Sequence, residues 1–578
     1  MPLEAGFRIG EREVFPMEGR IAGPNGDLRV EPKAMAVLVE LARHAPSVCT
    51  REQIVQNVWP RGYVSDDVLT RCIGQIRRAL DDDPKAPALL ETIPKRGYRL
   101  VSPAVERAPA NGPDRAVAPR VESLIVLPFE HLSANGEDFV ADGLTELLTL
   151  RLAALRGIRV ISRTTAMQFK GVRSSIGELA ARTGADWVIE GSVLQSGDRI
   201  QVVAQLIDAR TDAHIWAADY VRDLPDLLSL QNEIARRVAA AIRLKLGATQ
   251  EAPPSIASMQ PPEVRRYLRG RHLISRRTVP NLQAALADFL AVTAAVPDHA
   301  PAWASAAECE MLLSHYGAPD QDRLLANCER HLDRALTLDP ELGIGLSTRG
   351  GLRFFFKRDL AGATKDFEHA LALLPSYSLA MVSLANLCAV RRDFGEAAAW
   401  MEQALLVDPL DVGVNMNVGD HHILRRRYAD AVQALGIGLT ISPGHRPSQF
   451  RLCWALALSG SPAPAWKLLS EIGPSGDHDA QWHEYAALAA AAVGDPGTAM
   501  RHFESLKAMD RVQRVPAWSM ARAAAAAGLL DAALVQIQAA ARDRSSSLPF
   551  LMVTPAFDAL HADPRFPAIG IELGLPQG

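Results

Sequence analysis

Between Ser65 and Leu80 the chain sets arginines and small polar groups along one side of a helical pattern, an arrangement that can read the edges of base pairs. Ser65 fits an N-cap, and Asp66 and Asp67 follow in the first turn, where the positive end of the helix dipole favours carboxylates. Val68, Leu69, Cys72, Ile73, Ile76 and Leu80 then recur at helical spacing and predict a core-facing side. The opposite side carries Asp67, Thr70, Arg71, Gly74 and Arg78, with Gln75 and Arg77 at its margins. A major groove accepts such a helix, a guanidinium matches the two acceptors of guanine, and a glycine permits close approach. The other use of such a face is solvated surface, and Arg77 also lies within reach of the acidic run Asp81–Asp83.

A second pair of cations, Lys95 and Arg96, lies in Pro94-Lys95-Arg96-Gly97, between the apolar segments Leu89–Ile93 and Tyr98–Val101. This predicts a β-hairpin with two positive charges at its tip, able to reach phosphates or a minor groove. The elements that must position both groups are legible upstream. Short strand-like segments occur around Phe7–Ile9, Val14 and Leu28–Val30. A first helix opens at Pro32 with Met35, Leu38, Val39 and Leu41 on its face. A second runs from Thr50 to Val58, with Thr50 as N-cap and Gln53 at the capping-box position, and Trp59-Pro60-Arg61-Gly62 ends it.

The order of strands, three helices and basic hairpin resembles the OmpR/PhoB-type winged helix. Ile73-Gly74-Gln75-Ile76-Arg77-Arg78-Ala79-Leu80 is similar to that family's recognition helix, and Glu91 to Leu100 to its wing. The resemblance covers residues 1–103. It implies a bacterial transcriptional regulator that binds double-stranded promoter DNA and works with RNA polymerase.

The whole chain has 578 residues, a formal net charge of -4 and 22% charged residues, so a DNA-binding surface must be local. Proline-rich connectors are expected at 104–121 and 249–262. The first residues lack a signal-peptide pattern, and the most apolar run, Ala523 to Ala541, is broken by Asp531 and Gln536. The expectation is a cytoplasmic protein that meets no membrane. Six irregularly spaced cysteines suit buried, reduced thiols.

Residues 122–248 predict a strand at Ser123–Phe129, a helix at Gly143–Leu155, a strand at Ile158–Ser162 and a helix at Ser175–Thr183. Strands at Trp187–Leu194, Ile200–Asp208 and Ala213–Tyr220 follow, then a helix at Leu227–Leu246, giving an α/β domain with a mixed sheet. Ile125–Phe129, Phe139–Leu144 and Glu190–Val193 resemble a TolB-N-terminal-like domain, which implies a fold more than an activity. Asp142 and Glu190 suit either ligand groups or helix and strand ends. The region shows no phosphate-binding glycine loop, metal-ligand cluster or nucleophile elbow, so neither an enzyme nor a cofactor is expected.

From 263 to 578 the pattern is helical and repetitive. Pro375, Pro409 and Pro443 are spaced by 34 residues, with Pro340 just before them. Ala335, Ala370 and Ala404 lie five residues before their prolines, and Ala363, Ala397 and Ala431 lie twelve before. Phe367, Met401 and Leu435 fill the equivalent bulky position. This looks like a tetratricopeptide superhelix of about six to eight helix pairs. His421-His422 lacks carboxylate or cysteine partners at ligand spacing, so no metal is expected. The combined reading is a multidomain, one-component regulator: an α+β winged helix, an α/β middle domain and an all-α array. That array would bind a protein, peptide or ligand, or pair with a second copy. The competing readings are a nucleotide-cyclase-related enzyme and an assembly scaffold.

Overall fold

The computed structural model describes residues 7–9, 12–16, 20–23, 26–45, 47–58, 66–83, 87–94, 96–101, 105–106, 121–132, 138–172, 174–246, 259–476 and 479–576. Ser65, Trp59-Pro60-Arg61-Gly62 and Lys95 lie outside them, as do 104, 107–120 and 249–258 of the two expected connectors. The chain forms two compact units, Met1–Arg120 and Val121–Gly578.

In the first unit, β1 (Phe7–Ile9), β2 (Arg12–Phe15), β3 (Arg20–Gly23) and β4 (Gly26–Arg29) form an antiparallel meander. Then come α1 (Pro32–His44), β5 (Cys49–Thr50), α2 (Arg51–Val58), α3 (Asp66–Leu80) and the hairpin β6 (Leu90–Ile93) and β7 (Gly97–Leu100). The hairpin joins a small sheet of order β5-β7-β6. β8 (Val105–Glu106), inside the expected first connector, pairs with β1. The capping box is formed: Gln53 N donates to Thr50 Oγ1 at 3.2 Å and Thr50 N to Gln53 Oε1 at 2.9 Å. Met35, Leu38, Val39 and Leu41 are buried with Phe7, Ile54, Ile76 and Leu100 in one core.

In the second unit, the strands are β9 (Glu122–Val126), β10 (Glu130–His131), β11 (Ile158–Val160), β12 (Trp187–Ser196), β13 (Arg199–Asp208) and β14 (Ala213–Asp223). The sheet order is β11-β9-β12-β13-β14, with β10 beside β12. β11, β9 and β12 run parallel, and β12 to β14 antiparallel, so the sheet is mixed. Gly197, at φ 62°, turns the β12–β13 hairpin. The helices are α4 (Asp138–Leu152), α5 (Arg163–Met167), α6 (Ile176–Thr183) and α7 (Leu227–Leu246).

Pro261 and Pro262, expected at the end of the second connector, instead open helix α8 (Pro261–Ile274), where first-turn prolines sacrifice no hydrogen bond. Eight helix pairs follow one another from α8 to Leu530–Arg542, and short turns of helix at Leu548–Phe550, Pro555–Ala562 and Arg565–Glu572 complete the chain. Ala335, Ala370, Ala404, Ala363, Ala397 and Ala431 are each buried, as are Phe367, Met401 and Leu435. Sheet and array share a core that runs from Leu124 to Leu324. No described helix is long and apolar enough to cross a membrane, and the six cysteines are free and buried.

Candidate nucleic-acid interface

Helix α3 buries Leu69, Cys72, Ile73, Ile76, Ala79 and Leu80. Val68, expected with them, is instead 43% exposed, because it stands one residue off the row formed by Leu69, Ile73, Ile76 and Leu80. The outward face carries Thr70, Arg71 and Arg78, all exposed. The Arg71 side chain is 74% exposed and meets Glu31 at 3.4 Å. A surface pair of this kind is worth under about 1 kcal/mol and exchanges readily for another anion. Arg78 Nε donates to Gly74 O at 3.4 Å. A Cβ on Gly74 would meet no atom of the described residues within 4 Å, so their packing does not require the glycine. Asp67 lies in the first turn of α3, but its side chain is not among those described. Gln75 is half-buried, and its Oε1 has no hydrogen-bond partner among the described residues.

Arg77 turns inward. Its guanidinium donates to Leu90 O at 3.0 Å and Thr92 Oγ1 at 2.9 Å, tying α3 to β6. Asp82, just past the helix and nearly buried, accepts the backbone N–H groups of Ala88, Leu89 and Leu90 at 2.8, 2.8 and 3.0 Å. These two residues fix the start of the wing against the recognition helix. The sequence places Arg77 at the margin of the groove-facing side, within reach of the Asp81–Asp83 run; the structure instead turns it to β6 and makes Asp82 of that run the acceptor for the start of the wing.

On the wing, Arg96 is exposed at the turn, and its N–H closes the turn on Ile93 O at 3.0 Å. A Cβ on Gly97 would collide with Cys49 O, so glycine is needed for β7 to lie on β5. Glu91 and Arg99 pair across the hairpin at 3.1 Å. Arg51 holds Tyr98 from the other side, 5.6 Å from the ring centroid.

Glu40, His44 and Cys49 are the one group of three metal-capable side chains among the described residues. Glu40 accepts Asn57 Nδ2 at 2.6 Å, and burial, with Glu40 beside it, pushes the Cys49 thiol up to about 11. In the second unit Asp142 is buried against Lys170 Nζ at 2.7 Å and His272 at 3.0 Å, and Glu190 accepts from Gln205. Burial pushes His421 down to about 4, toward a neutral ring.

Residues 25–100 match the C-terminal domain of transcriptional regulatory proteins. Residues 120–237, likened above to a TolB-N-terminal-like domain, match the second domain of HilA/YgeH-like transcriptional regulators. The transcriptional regulator HilA of Salmonella typhimurium is 25% identical over 332 residues, 56% of this chain and 57% of HilA. The transcriptional activator CadC of Escherichia coli (strain K12) is 36% identical over 99 residues, 17% of this chain and 19% of CadC. A Rhizobium meliloti (strain 1021) protein bearing an adenylate cyclase name is 37% identical over 134 residues, 23% of each chain. The chain thus spans between 19% and 57% of the length of these relatives. The domains matched in transcriptional regulators thus cover the winged helix and the mixed-sheet domain, and a tetratricopeptide-like array of helix pairs follows them.

Proposed function

We propose that this chain regulates transcription by binding promoter DNA through the first unit and receiving its signal through the second. The observation that carries this reading is the outward face of α3. Arg71 and Arg78 stand exposed with only weak partners, beside a wing whose Arg96 is also exposed. In the proposed docking α3 enters the major groove, Thr70, Arg71 and Arg78 meet base edges, and Arg96 with Lys95 meets phosphate or the minor groove. Arg77 positions the wing. The regulator acts from solution and works with RNA polymerase, and its array takes up a protein, peptide or ligand. A two-state change in the second unit that alters DNA affinity is what signalling requires.

The test is a selection of binding sites from a random duplex library with the full chain, followed by fluorescence anisotropy on the enriched site. Enrichment of a defined site, lost in Arg71→Ala/Arg78→Ala, is the expected outcome. Recovery of no site, together with salt-insensitive duplex binding, sinks the reading and favours an assembly scaffold.

A further inference from the structure

Six turns of the array share one backbone conformation and one spacing. Arg358, Arg392 and Arg426 stand at φ 54°, 63° and 58°, and Gly460, Gly494 and Gly528 continue the 34-residue step at 79°, 79° and 76°. Glycine enters the left-handed region freely, whereas an arginine there crowds its Cβ against the backbone. The first three turns therefore keep arginine where the fold alone would favour glycine, which points to a task for the guanidinium. Part of that task is visible. Arg358 Nε donates to Leu573 O at 3.1 Å, Arg392 to Met552 O at 3.0 Å and Arg426 to Val553 O at 2.8 Å. The ladder holds the main chain of the C-terminal segment and leaves guanidinium donors over.

Where the second and third arginines meet that segment, a cleft of about 460 Å3 opens, walled by Arg392, Arg425, Arg426, Phe394, Asp558 and His561. Asp558, already paired with Arg426, is the one carboxylate among the lining residues. Arg425 donates no side-chain hydrogen bond to any described residue. Three guanidiniums thus face one carboxylate in a cleft the size of a small-molecule site. Burial, with Arg392 and Arg426 beside it, holds the His561 ring below its ordinary value against the pull of Asp558. Clustered guanidiniums bind phosphate and carboxylate by paired, charge-assisted hydrogen bonds.

We propose that this cleft binds a small dianionic metabolite, through a phosphate or paired carboxylates, with Arg425 as its otherwise unengaged donor. The ligand touches the repeat turns on one side and the Pro555–Ala562 segment on the other, so it bridges the array to its own C-terminal cap. Its occupancy is read by direct binding, without DNA.

Isothermal titration of the full chain with sodium pyrophosphate, and separately with citrate, at matched ionic strength, tests this and separates the two anion chemistries. Saturable binding of at least one probe is expected, weakened at least tenfold in Arg425→Gln and abolished in Arg425→Glu. The same binding should persist in Lys467→Gln, an exposed cation elsewhere on the array. Melting curves of the Arg425 variants should overlay the parent, since that side chain ties no other element. Failure of both probes to saturate at millimolar concentration overturns the proposal, as does equal loss in the Lys467 variant or parent-like binding by Arg425→Glu.

Discussion

Arg71 reaches outward from α3 with its side chain 74% exposed, while Arg77, on the same helix, is spent on Leu90 O and Thr92 Oγ1. The two arginines therefore fail differently when removed. Arg71→Ala and Arg78→Ala should each relax discrimination at one base position by about 1–3 kcal/mol, the worth of a bidentate base contact, and leave thermal stability unchanged. Arg96→Ala should weaken all sequences alike and reduce the salt slope of binding by about 0.9. Anisotropy titrations on matched and mismatched duplexes at several salt concentrations separate these outcomes. Equal losses on every sequence for Arg71→Ala would falsify the base-reading assignment. Asp82→Ala strips three backbone donors of their acceptor and should lower the unfolding free energy of the first unit by about 2 kcal/mol or more, read by urea titration. The polar face of α3 was legible because helical spacing fixes which residues share a side. The inward turn of Arg77 was not, since it depends on where β6 lies, and periodicity carries no information about a neighbour distant in sequence.

At the scale of elements, the repeat advertised itself through prolines, which stop helices, and through the small residues where paired helices touch. The proline step breaks after Pro443, because Asp477 and Arg511 stand where prolines would continue it. The turn glycines Gly460, Gly494 and Gly528 keep the same step and extend the phase well past the prolines. Close packing inside one repeat supplies a test. A Cβ on Gly350 would lie 2.7 Å from the Phe367 ring. Gly350→Ala should cost about 1–3 kcal/mol by overpacking, and Phe367→Ala about 3–5 kcal/mol by cavity formation. The double variant should cost clearly less than the sum, because each change makes room for the other. Additive losses in chemical denaturation would show that the two side chains do not meet.

The sheet layer and the array touch at a second kind of contact, where Asp408 accepts Thr165 Oγ1 at 2.7 Å and burial, with Asp411 nearby, pushes its carboxyl up to about 7. Its folded value lies above the ordinary carboxyl value of 3.8. The folded state therefore binds a proton that the unfolded chain has released. The contribution is fully present below the ordinary value and is lost as pH rises through about 7. Asp408→Asn should flatten this decline in melting temperature, and an unchanged pH profile would remove Asp408 as its source. The same junction decides how the whole molecule divides. Proline-rich stretches suggested a cut at 249–262, yet Gly143 of α4 admits Leu268 of α8 so closely that a Cβ there would lie 2.7 Å from it. Arg271, also from α8, is buried between Glu146 of α4 at 2.9 Å and Glu308 at 3.4 Å. Composition marks where a chain is extended, but which faces of the flanking elements are apolar toward each other emerges only in three dimensions. Residues 1–120 should therefore unfold as one cooperative transition and bind DNA, whereas 1–248 strips α4 of its cover. Loss of the array removes Arg271 from Glu146, leaving it only the more distant guanidinium of Arg163 at 3.7 Å, and exposes apolar surface that binds a hydrophobic dye. The expected result is a sharp melt for 1–120 and for the full chain, and a broad, dye-binding transition for 1–248. A sharp, dye-free melt of 1–248 would mean that the sheet layer is stable by itself, and its contacts with α8 would then serve communication between array and sheet more than folding.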